Sequence, residues 1–196
     1  MGRSRFGPDY YARYYGSPRT RVVDGPAVEV LAAAVTAFMA WWGAPLRNVL
    51  DVGAGVGHWG RYFRHRLPEV KYRSTEVSAH ACKKYGHEQR DISRWRGKEK
   101  FDLIVCQGVL PYLKKDECES AIDNVGAMSR GFLYMEAITR SDLDDVCDVS
   151  LTDVDVHLRS ARFYEKRLGL HFVKVGCGLY YSRRGPLRFY DLERAR

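Results

Sequence analysis

The sequence lacks the usual features of a membrane, secreted or metal-binding protein. Its five cysteines are spread along the chain without a CxxC pair, so they predict neither a disulfide framework nor a zinc site. The strongest apolar stretch, Val28 to Trp42, carries Glu29 and is shorter than the roughly 20 residues needed to cross a bilayer. The first residues lack the apolar core of a signal peptide. We therefore expect a cytoplasmic protein with no bound metal and no membrane partner.

The chain also lacks internal repeats, low-complexity tracts and any composition shift that would mark a second domain. Its 196 residues fit one domain of ordinary size, large enough to bury a substantial core. We expect a single domain over residues 1–196, with an N-terminal arm over 1–24 and a core over 25–196. The oligomeric state stays open.

The net charge of +8 is unevenly distributed. From Arg159 to Arg196 there are ten Lys or Arg against three acids, whereas Glu136 to Asp155 holds seven acids and Arg140 as its one base. A basic surface attracts nucleic acid or anionic small molecules. Such a charge run is more often an ordinary solvated face. Nucleic acid is therefore retained as an alternative partner but is not favoured.

Apolar runs typical of strands alternate with helical patterns along most of the chain. The strands are expected at 46–52, 70–77, 101–106 and 131–138, and the helices at 26–42, 57–67, 78–85, 114–129 and 160–168. This alternation predicts βαβ units, and so an α/β three-layer sandwich around a mostly parallel sheet. The last extended runs, 172–175, 179–181 and 187–190, predict a closing antiparallel hairpin. Which two of them pair is left open.

A glycine-rich turn follows the first strand. Gly53, Ala54, Gly55 and Gly57 come directly after the apolar run that ends at Val52. Glycines there permit a tight turn and close approach of a ligand to the backbone. The helix that follows directs its free N–H groups toward the same place. The turn predicts a cofactor-binding loop.

A dinucleotide and a cationic cofactor are the two alternatives for this loop. Counted from Gly53, the dinucleotide pattern GxGxxG needs Gly or Ala at position 58, where the chain has His58. Asp51, two residues before the first glycine, would repel a pyrophosphate and attract a cationic amine. S-adenosylmethionine (SAM) carries an ammonium and a sulfonium, so the carboxylate favours SAM over NAD.

This run resembles motif I of the class I SAM-dependent methyltransferases, and the resemblance extends through most of the chain. It implies a Rossmann-like fold and SAM as the cofactor. Glu76, at the end of the second strand, would then accept hydrogen bonds from the ribose hydroxyls, and Val77 after it is a further candidate cofactor residue. Asp91 and Ile92 resemble the family's adenine-binding turn, with the carboxylate on the exocyclic amine. The run 101–106 resembles the family's fourth strand, and Gln107 begins the loop beyond it, which in the family lies beside the methionine end of the cofactor and the substrate.

The loop after the fourth strand also bears on the methyl acceptor. Methyltransferases that act on amino groups of nucleobases or glutamine typically carry Asn/Asp-Pro-Pro-aromatic there. This chain has the run 107–112, QGVLPY, instead. The run is more similar to the GVL-x-x-L form of small-molecule methyltransferases. We therefore expect transfer to an oxygen or nitrogen of a small molecule.

Candidate catalytic and substrate residues come from three places. Tyr112 lies in the loop after the strand 101–106, and His157, the candidate base, follows the strand 131–138. Arg159 is a candidate substrate residue, and Arg19 and Arg21 are candidates for binding a carboxylate. The remaining candidates are the tyrosines of the arm, which would form one aromatic face if helical and could act as a lid or as packing: Tyr10, Tyr11, Tyr14 and Tyr15, with Tyr11 and Tyr15 as substrate residues.

Two other functions remain as alternatives. The basic C-terminal third would suit a methyltransferase that acts on RNA or protein, with salt-dependent binding. A non-catalytic SAM-binding module is the third alternative. The intact Asp51, Gly53, Gly55 and Glu76 argue against it, because a site without catalytic use need not keep them.

Overall fold

The chain is represented by a computed structural model that describes residues 5–17, 19 and 24–195. The strands are β1 Asn48–Val52, β2 Lys71–Glu76, β3 Glu88–Gln89, β4 Phe101–Gln107, β5 Ser129–Glu136, β6 Phe172–Gly176 and β7 Leu179–Ser182. The helices are α1 Pro8–Tyr11, α2 Gly25–Trp41, α3 His58–Arg66, α4 Ala79–Tyr85, α5 Lys115–Met128, α6 Arg140–Asp145 and α7 Ala161–Leu168. A π-helical turn, Ala12–Gly16, continues α1, and a 3₁₀ turn, Leu110–Tyr112, follows β4.

The seven strands form one sheet in the order β3-β2-β1-β4-β5-β7-β6. The pairs β1–β2, β2–β3, β1–β4 and β4–β5 are parallel. The strand order reverses between β1 and β4, because β2 lies on one side of β1 and β4 on the other. In open α/β sheets, ligands bind in the crevice beyond the carboxyl ends of the strands at this reversal.

Two apolar cores cover the two faces of the sheet, and side-chain alternation along the strands produces them. Val49 and Leu103 point to the face covered by α2 and α3, whereas Leu50 and Ile104 point to the face covered by α5 and α7. The predicted three-layer α/β sandwich is confirmed.

The C-terminal hairpin is also confirmed, and the structure settles which runs pair. β6 and β7 are antiparallel to each other, and β7 joins the sheet antiparallel to β5. The third run, 187–190, forms no strand. Its Leu187 N–H donates to the Tyr181 hydroxyl at 3.2 Å, and Leu187 and Phe189 pack against the core. The short β3 and α6 were not predicted.

Within the described ranges, no helix is long and apolar enough to span a membrane. The longest helix, α2, begins at a capped end, where the Asp24 side chain accepts a hydrogen bond from Ala27 N at 2.9 Å. Only one face of α2 is buried, through Val28, Ala32, Val35 and Met39. This helix therefore packs on the sheet as an ordinary amphipathic element.

Candidate functional site

The glycine turn after β1 approaches its neighbours too closely for side chains. Gly53 has φ +68°, and a Cβ there would overlap the Val109 side chain. The N–H groups of Gly53 and Ala54 both donate to Thr75 O, at 2.8 and 3.1 Å, which ties the turn to the end of β2. Gly57, with φ +75°, precedes α3 as its N-cap. The turn thus exposes backbone rather than side chains at the carboxyl end of β1.

Glu76 holds this turn from the end of β2. Its Oε2 accepts a hydrogen bond from Gly55 N at 3.0 Å, and its Oε1 accepts from Val77 N at 2.7 Å and Ser78 N at 3.0 Å. The side chain is 6% exposed. A carboxylate has about four acceptor positions, so one remains for a ligand. Glu76 is therefore a structural support of the turn as well as a candidate ligand-binding residue.

Asp51 is a buried carboxyl group beneath the turn. It is 2% exposed, and the Tyr72 hydroxyl donates to its Oδ2 at 2.5 Å. Burial is the main cause that raises the pKa of Asp51 to about 7; the Tyr72 hydrogen bond opposes this shift and the nearby charge of Glu76 adds to it. A cationic ligand at this position would stabilise the ionised form, which the folded chain alone disfavours.

His87 supports the turn from its outer side and was not identified from the sequence. Its Nε2 lies 3.1 Å from Gly55 O, and its Nδ1 lies 2.9 Å from Ser74 Oγ. Because a carbonyl only accepts, Nε2 carries the proton in this contact and Nδ1 accepts from the serine. A single histidine outside any motif gave no sequence signal for this role.

A first cavity, which we call the β2-side cavity, opens beyond β1 and β2. It brings together five predicted cofactor residues, namely Gly53, Gly55, Glu76, Val77 and Gln107, and the Asp91–Ile92 turn. Asp91 Oδ1 accepts from the N–H and the hydroxyl of Ser93, at 2.9 and 2.7 Å. Ile92 is buried and gives the cavity an apolar wall.

A second cavity, the β5-side cavity, extends from the glycine turn toward β5. Asp51, Ala54 and Gln107 of the predicted site line it. Gln107 is fixed there by two hydrogen bonds: its Oε1 accepts from Trp59 Nε1 at 2.9 Å, and its Nε2 donates to Glu136 Oε2 at 3.2 Å. The remaining members of this lining that the sequence did not single out are Val28, Val56, His58, Trp59, Gly108, Pro111, Glu136, Ile138, Thr152, Asp153 and Val156.

The two cavities meet above the carboxyl ends of β1 and β4. They share a set of residues from the glycine turn, the loop after β4 and the arm: Tyr10, Tyr15, Gly53, Gly55, Gln107, Gly108 and Tyr112. The empty space is about 810 Å³ on the β2 side and about 940 Å³ on the β5 side, including space open to solvent. The pair forms one elongated site at the reversal of strand order.

The N-terminal arm covers both cavities. The hydroxyls of Tyr10 and Tyr112 lie 2.8 Å apart, and the Ser78 hydroxyl donates to Phe6 O at 2.6 Å. Tyr11 is buried and lines the β2-side cavity, whereas Tyr15 lines both. Burial raises the pKa of Tyr10 to about 12 and raises the pKa of Tyr112 well above its usual value. These hydroxyls are therefore neutral at physiological pH and able to donate hydrogen bonds.

Several candidates for catalysis or substrate binding lie outside the cavities. His157 is exposed and lines neither of them; its N–H donates to Pro111 O at 2.8 Å. Arg159 donates to Leu113 O at 2.5 Å and to Leu110 O at 3.3 Å, so it braces the segment after β4. Gly57 and Arg19 line neither cavity, and Arg21 lies outside the described residues. No cluster of His, Cys, Asp and Glu in the described part of the chain could hold a metal.

Residues 50–130 match the family model described as a methyltransferase domain. No curated protein matches the chain significantly. Solved structures do: a SAM-dependent methyltransferase from Clostridium acetobutylicum is 15% identical, with a TM-score of 0.63, and the match covers 90% of this chain and 98% of that one. The SAM-bound amino pentose methyltransferase CalS10 from Micromonospora echinaspora is 14% identical, with a TM-score of 0.62 and coverage of 93% and 100%.

The N-methyltransferase NodS from Bradyrhizobium japonicum, solved with S-adenosylhomocysteine, is 16% identical with a TM-score of 0.57, and the match covers 87% of this chain and 98% of that one. At such identities the likeness shows the shared fold, and the family model adds the methyltransferase domain itself. The resemblance found in the glycine turn is thereby confirmed. Residues 50–130 thus match a methyltransferase domain, and the chain has the fold of the class I SAM-dependent methyltransferases.

Proposed function

We propose that the chain binds SAM across the two cavities and transfers its methyl group to an oxygen or nitrogen of a small molecule. The main support for this proposal is that the two cavities meet at Gly53, Gln107 and Tyr112. A long cofactor that enters from the β2 side would pass this point and reach Asp51, beside the space left for an acceptor on the β5 side.

The β2-side cavity would hold the adenosine part. Glu76 has one acceptor position left after its three backbone hydrogen bonds, and that position suits a ribose hydroxyl. Ile92 offers an apolar surface for a flat ring, and Val77 lies beside it in the same cavity. Asp91 Oδ2 accepts no hydrogen bond from Ser93 and lies 3.6 Å from Arg94 Nε in a solvent-exposed ion pair, so it can still accept from a donor such as an exocyclic amine.

The β5-side cavity would hold the methionine part next to Asp51. Burial raises the pKa of this carboxyl group to about 7. A cationic ligand would stabilise its ionised form, because opposite charges attract strongly away from water. SAM supplies an ammonium and, at the sulfonium, the methyl group to be transferred. The negative phosphates of NAD would be repelled by the same group. The residues present fit SAM.

Enclosure supports a small acceptor. Tyr10, Tyr14 and Tyr15 of the arm close one side of the β5-side cavity, and closure over a reaction site excludes water. The basic C-terminal third, which favoured the RNA alternative, contributes no residue to either cavity lining. Carboxylates at the acceptor end would also repel a phosphate backbone.

Catalysis would depend on alignment more than on an acid or base. A methyl transfer gains chiefly from holding the nucleophile in line with the bond that breaks. Tyr112, fixed by its hydrogen bond to Tyr10, would position the acceptor as a neutral donor. With His157 outside the cavity, a histidine base is not part of this proposal.

The test is a turnover screen. The protein is incubated with SAM and a mixture of small metabolites, and mass spectrometry records which compounds gain one methyl group and whether S-adenosylhomocysteine accumulates. Gly53→Ala, which would overlap Val109, serves as the site variant, and Glu69→Gln, at an exposed turn outside both cavities, as the control. Methylation by the wild type and the control, but not by Gly53→Ala, is the expected result. A parallel incubation with RNA and protein in place of the metabolites completes the test: methylation there, with no small-molecule product in the screen, would overturn the choice of acceptor.

A further inference from the structure

The acceptor end of the β5-side cavity is acidic although the chain as a whole is basic. The net charge is +8, yet the cavity lining contains three carboxyl groups, Asp51, Glu136 and Asp153. Among its described residues the lining contains no Lys or Arg, and His58 is its one basic side chain. A site with this balance attracts cations and repels anions.

The three carboxyl groups differ in their availability. Asp51 lies buried beneath the glycine turn and accepts from Tyr72, which places it with the cofactor. Asp153 lies 3.3 Å from Arg5 Nη2, so its charge is already balanced. Glu136, at the end of β5, has no cationic partner among the described residues.

The hydrogen bonds of Glu136 fix its position and leave one oxygen open. Gln107 Nε2 and the Tyr134 hydroxyl both donate to Oε2, at 3.2 and 3.1 Å. Oε1 accepts no hydrogen bond from the described residues. The carboxylate is thus oriented by two donors, and through Gln107 it is joined to a residue that lines both cavities.

Part of the wall of this cavity is aromatic. Tyr10, Tyr14 and Tyr15 line the same cavity, and aromatic faces attract cations in addition to any carboxylate. The charges of Glu136 and Asp153 contribute to the raised pKa of Tyr15, after burial and the charges of Tyr10 and Glu76. Tyr15 is therefore close enough to both acids to feel their charges, and a further negative charge in this cavity would be repelled.

We propose that the acceptor is an amine, bound as its ammonium by Glu136, and that Glu136 determines this specificity. The inference deepens the proposed function and rests on it. The ammonium donates to the open Oε1 while the tyrosines cover its carbon substituents. Before attack it gives one proton to Glu136, which leaves the nitrogen neutral with a free lone pair. Because Glu136 is exposed, it can pass that proton to water.

Binding measurements on the protein saturated with S-adenosylhomocysteine test the proposal without turnover. The probes are two sets of three compounds with one skeleton each: tyramine, tyrosol and 4-hydroxyphenylacetate, and cyclohexylmethylamine, cyclohexylmethanol and cyclohexanecarboxylate. Their dissociation constants are measured by ligand-observed NMR for the wild type, Glu136→Gln and the control Glu69→Gln. Gln at 136 keeps an oxygen for the Tyr134 and Gln107 donors, so the fold of the cavity is retained.

We expect the amine of each set to bind the wild type about tenfold more tightly than the alcohol, with the carboxylate weakest. Glu136→Gln should lose this preference, whereas Glu69→Gln should keep it. Equal binding of the three members, tighter binding of the carboxylates, or an amine preference that survives Glu136→Gln would overturn the proposal.

The affinity for S-adenosylhomocysteine, measured first for every variant, separates this inference from the proposed function. If no variant binds S-adenosylhomocysteine, the proposed function fails. If all bind it equally and the amine preference is absent, the acceptor assignment alone fails.

Discussion

We predict that replacing the buried Asp51 has opposite effects on stability and on cofactor binding: it stabilises the fold and weakens binding. Burial raises the pKa of Asp51 from 3.8 to about 7. Ionisation of Asp51 therefore costs more free energy in the folded protein than in the unfolded chain. At about 1.4 kcal/mol for each tenfold change in the acid dissociation constant, this difference corresponds to about 4 kcal/mol at pH values above 7. Asp51→Asn removes the ionisation and keeps an oxygen for the Tyr72 hydroxyl.

The direction of the pH dependence follows from proton counts. Below pH 3.8 both states are protonated, and above about 7 neither is. Between these values the folded state holds more protons, so the free energy of unfolding contributed by Asp51 falls as the pH rises. We expect Asp51→Asn to be more stable than the wild type at pH 8, by up to about 4 kcal/mol, and similar to it near pH 4.

Urea denaturation at pH 5, 6.5 and 8, with calorimetric titration of SAM at pH 8, measures both effects. The substitution should weaken SAM binding at least tenfold, because it removes the charge opposite the ammonium. Asp116→Asn, at an exposed position of α5, is the matched control and should change neither quantity with this pH profile. A variant that is less stable than the wild type at pH 8, or whose stability difference does not vary with pH, would refute the argument from burial.

Three further predictions concern the turn and the arm. Glu76→Gln, which keeps one oxygen for the backbone donors, should weaken SAM binding by about 1.5–3 kcal/mol in calorimetry; an unchanged affinity would remove Glu76 from the site. Gly53→Ala should lower the free energy of unfolding in urea by about 1–3 kcal/mol because of its positive φ and the overlap with Val109. Equal stability of the variant and the wild type would contradict the close approach of Gly53 to Val109. Deletion of residues 1–18 should leave a folded core that binds SAM weakly and lacks turnover. In the full chain SAM should slow proteolysis near Gly16, and equal cleavage with and without SAM would leave the arm only a packing role.

The sequence was sufficient for the sheet and the glycine turn because both depend on local patterns. The alternation of Val49 and Leu50 between two faces follows from strand geometry alone. Gly53 and Glu76 could be placed because the carboxyl ends of adjacent parallel strands meet at one edge of the sheet. Which two of the last three extended runs pair could not be predicted; the run 187–190 stays unpaired because its Leu187 N–H donates to the Tyr181 hydroxyl instead of to a neighbouring strand.

The acceptor end could not be predicted because it depends on contacts between distant segments. Trp59 reaches Gln107 from helix α3, and Glu136 reaches it from the neighbouring strand β5. In the sequence, Glu136 was one acid in an acidic stretch, without a spacing that marks a site. Arg159 was a substrate candidate by position alone, whereas in the structure its guanidinium is engaged by backbone carbonyls.

Calorimetric titration with SAM, S-adenosylhomocysteine and NAD tests the central claim most directly. The charge of Asp51, the open acceptor position of Glu76 and the close turn at Gly53 together predict that the wild type binds SAM and S-adenosylhomocysteine and gives no heat with NAD. Tight binding of NAD with no heat from SAM would contradict the account.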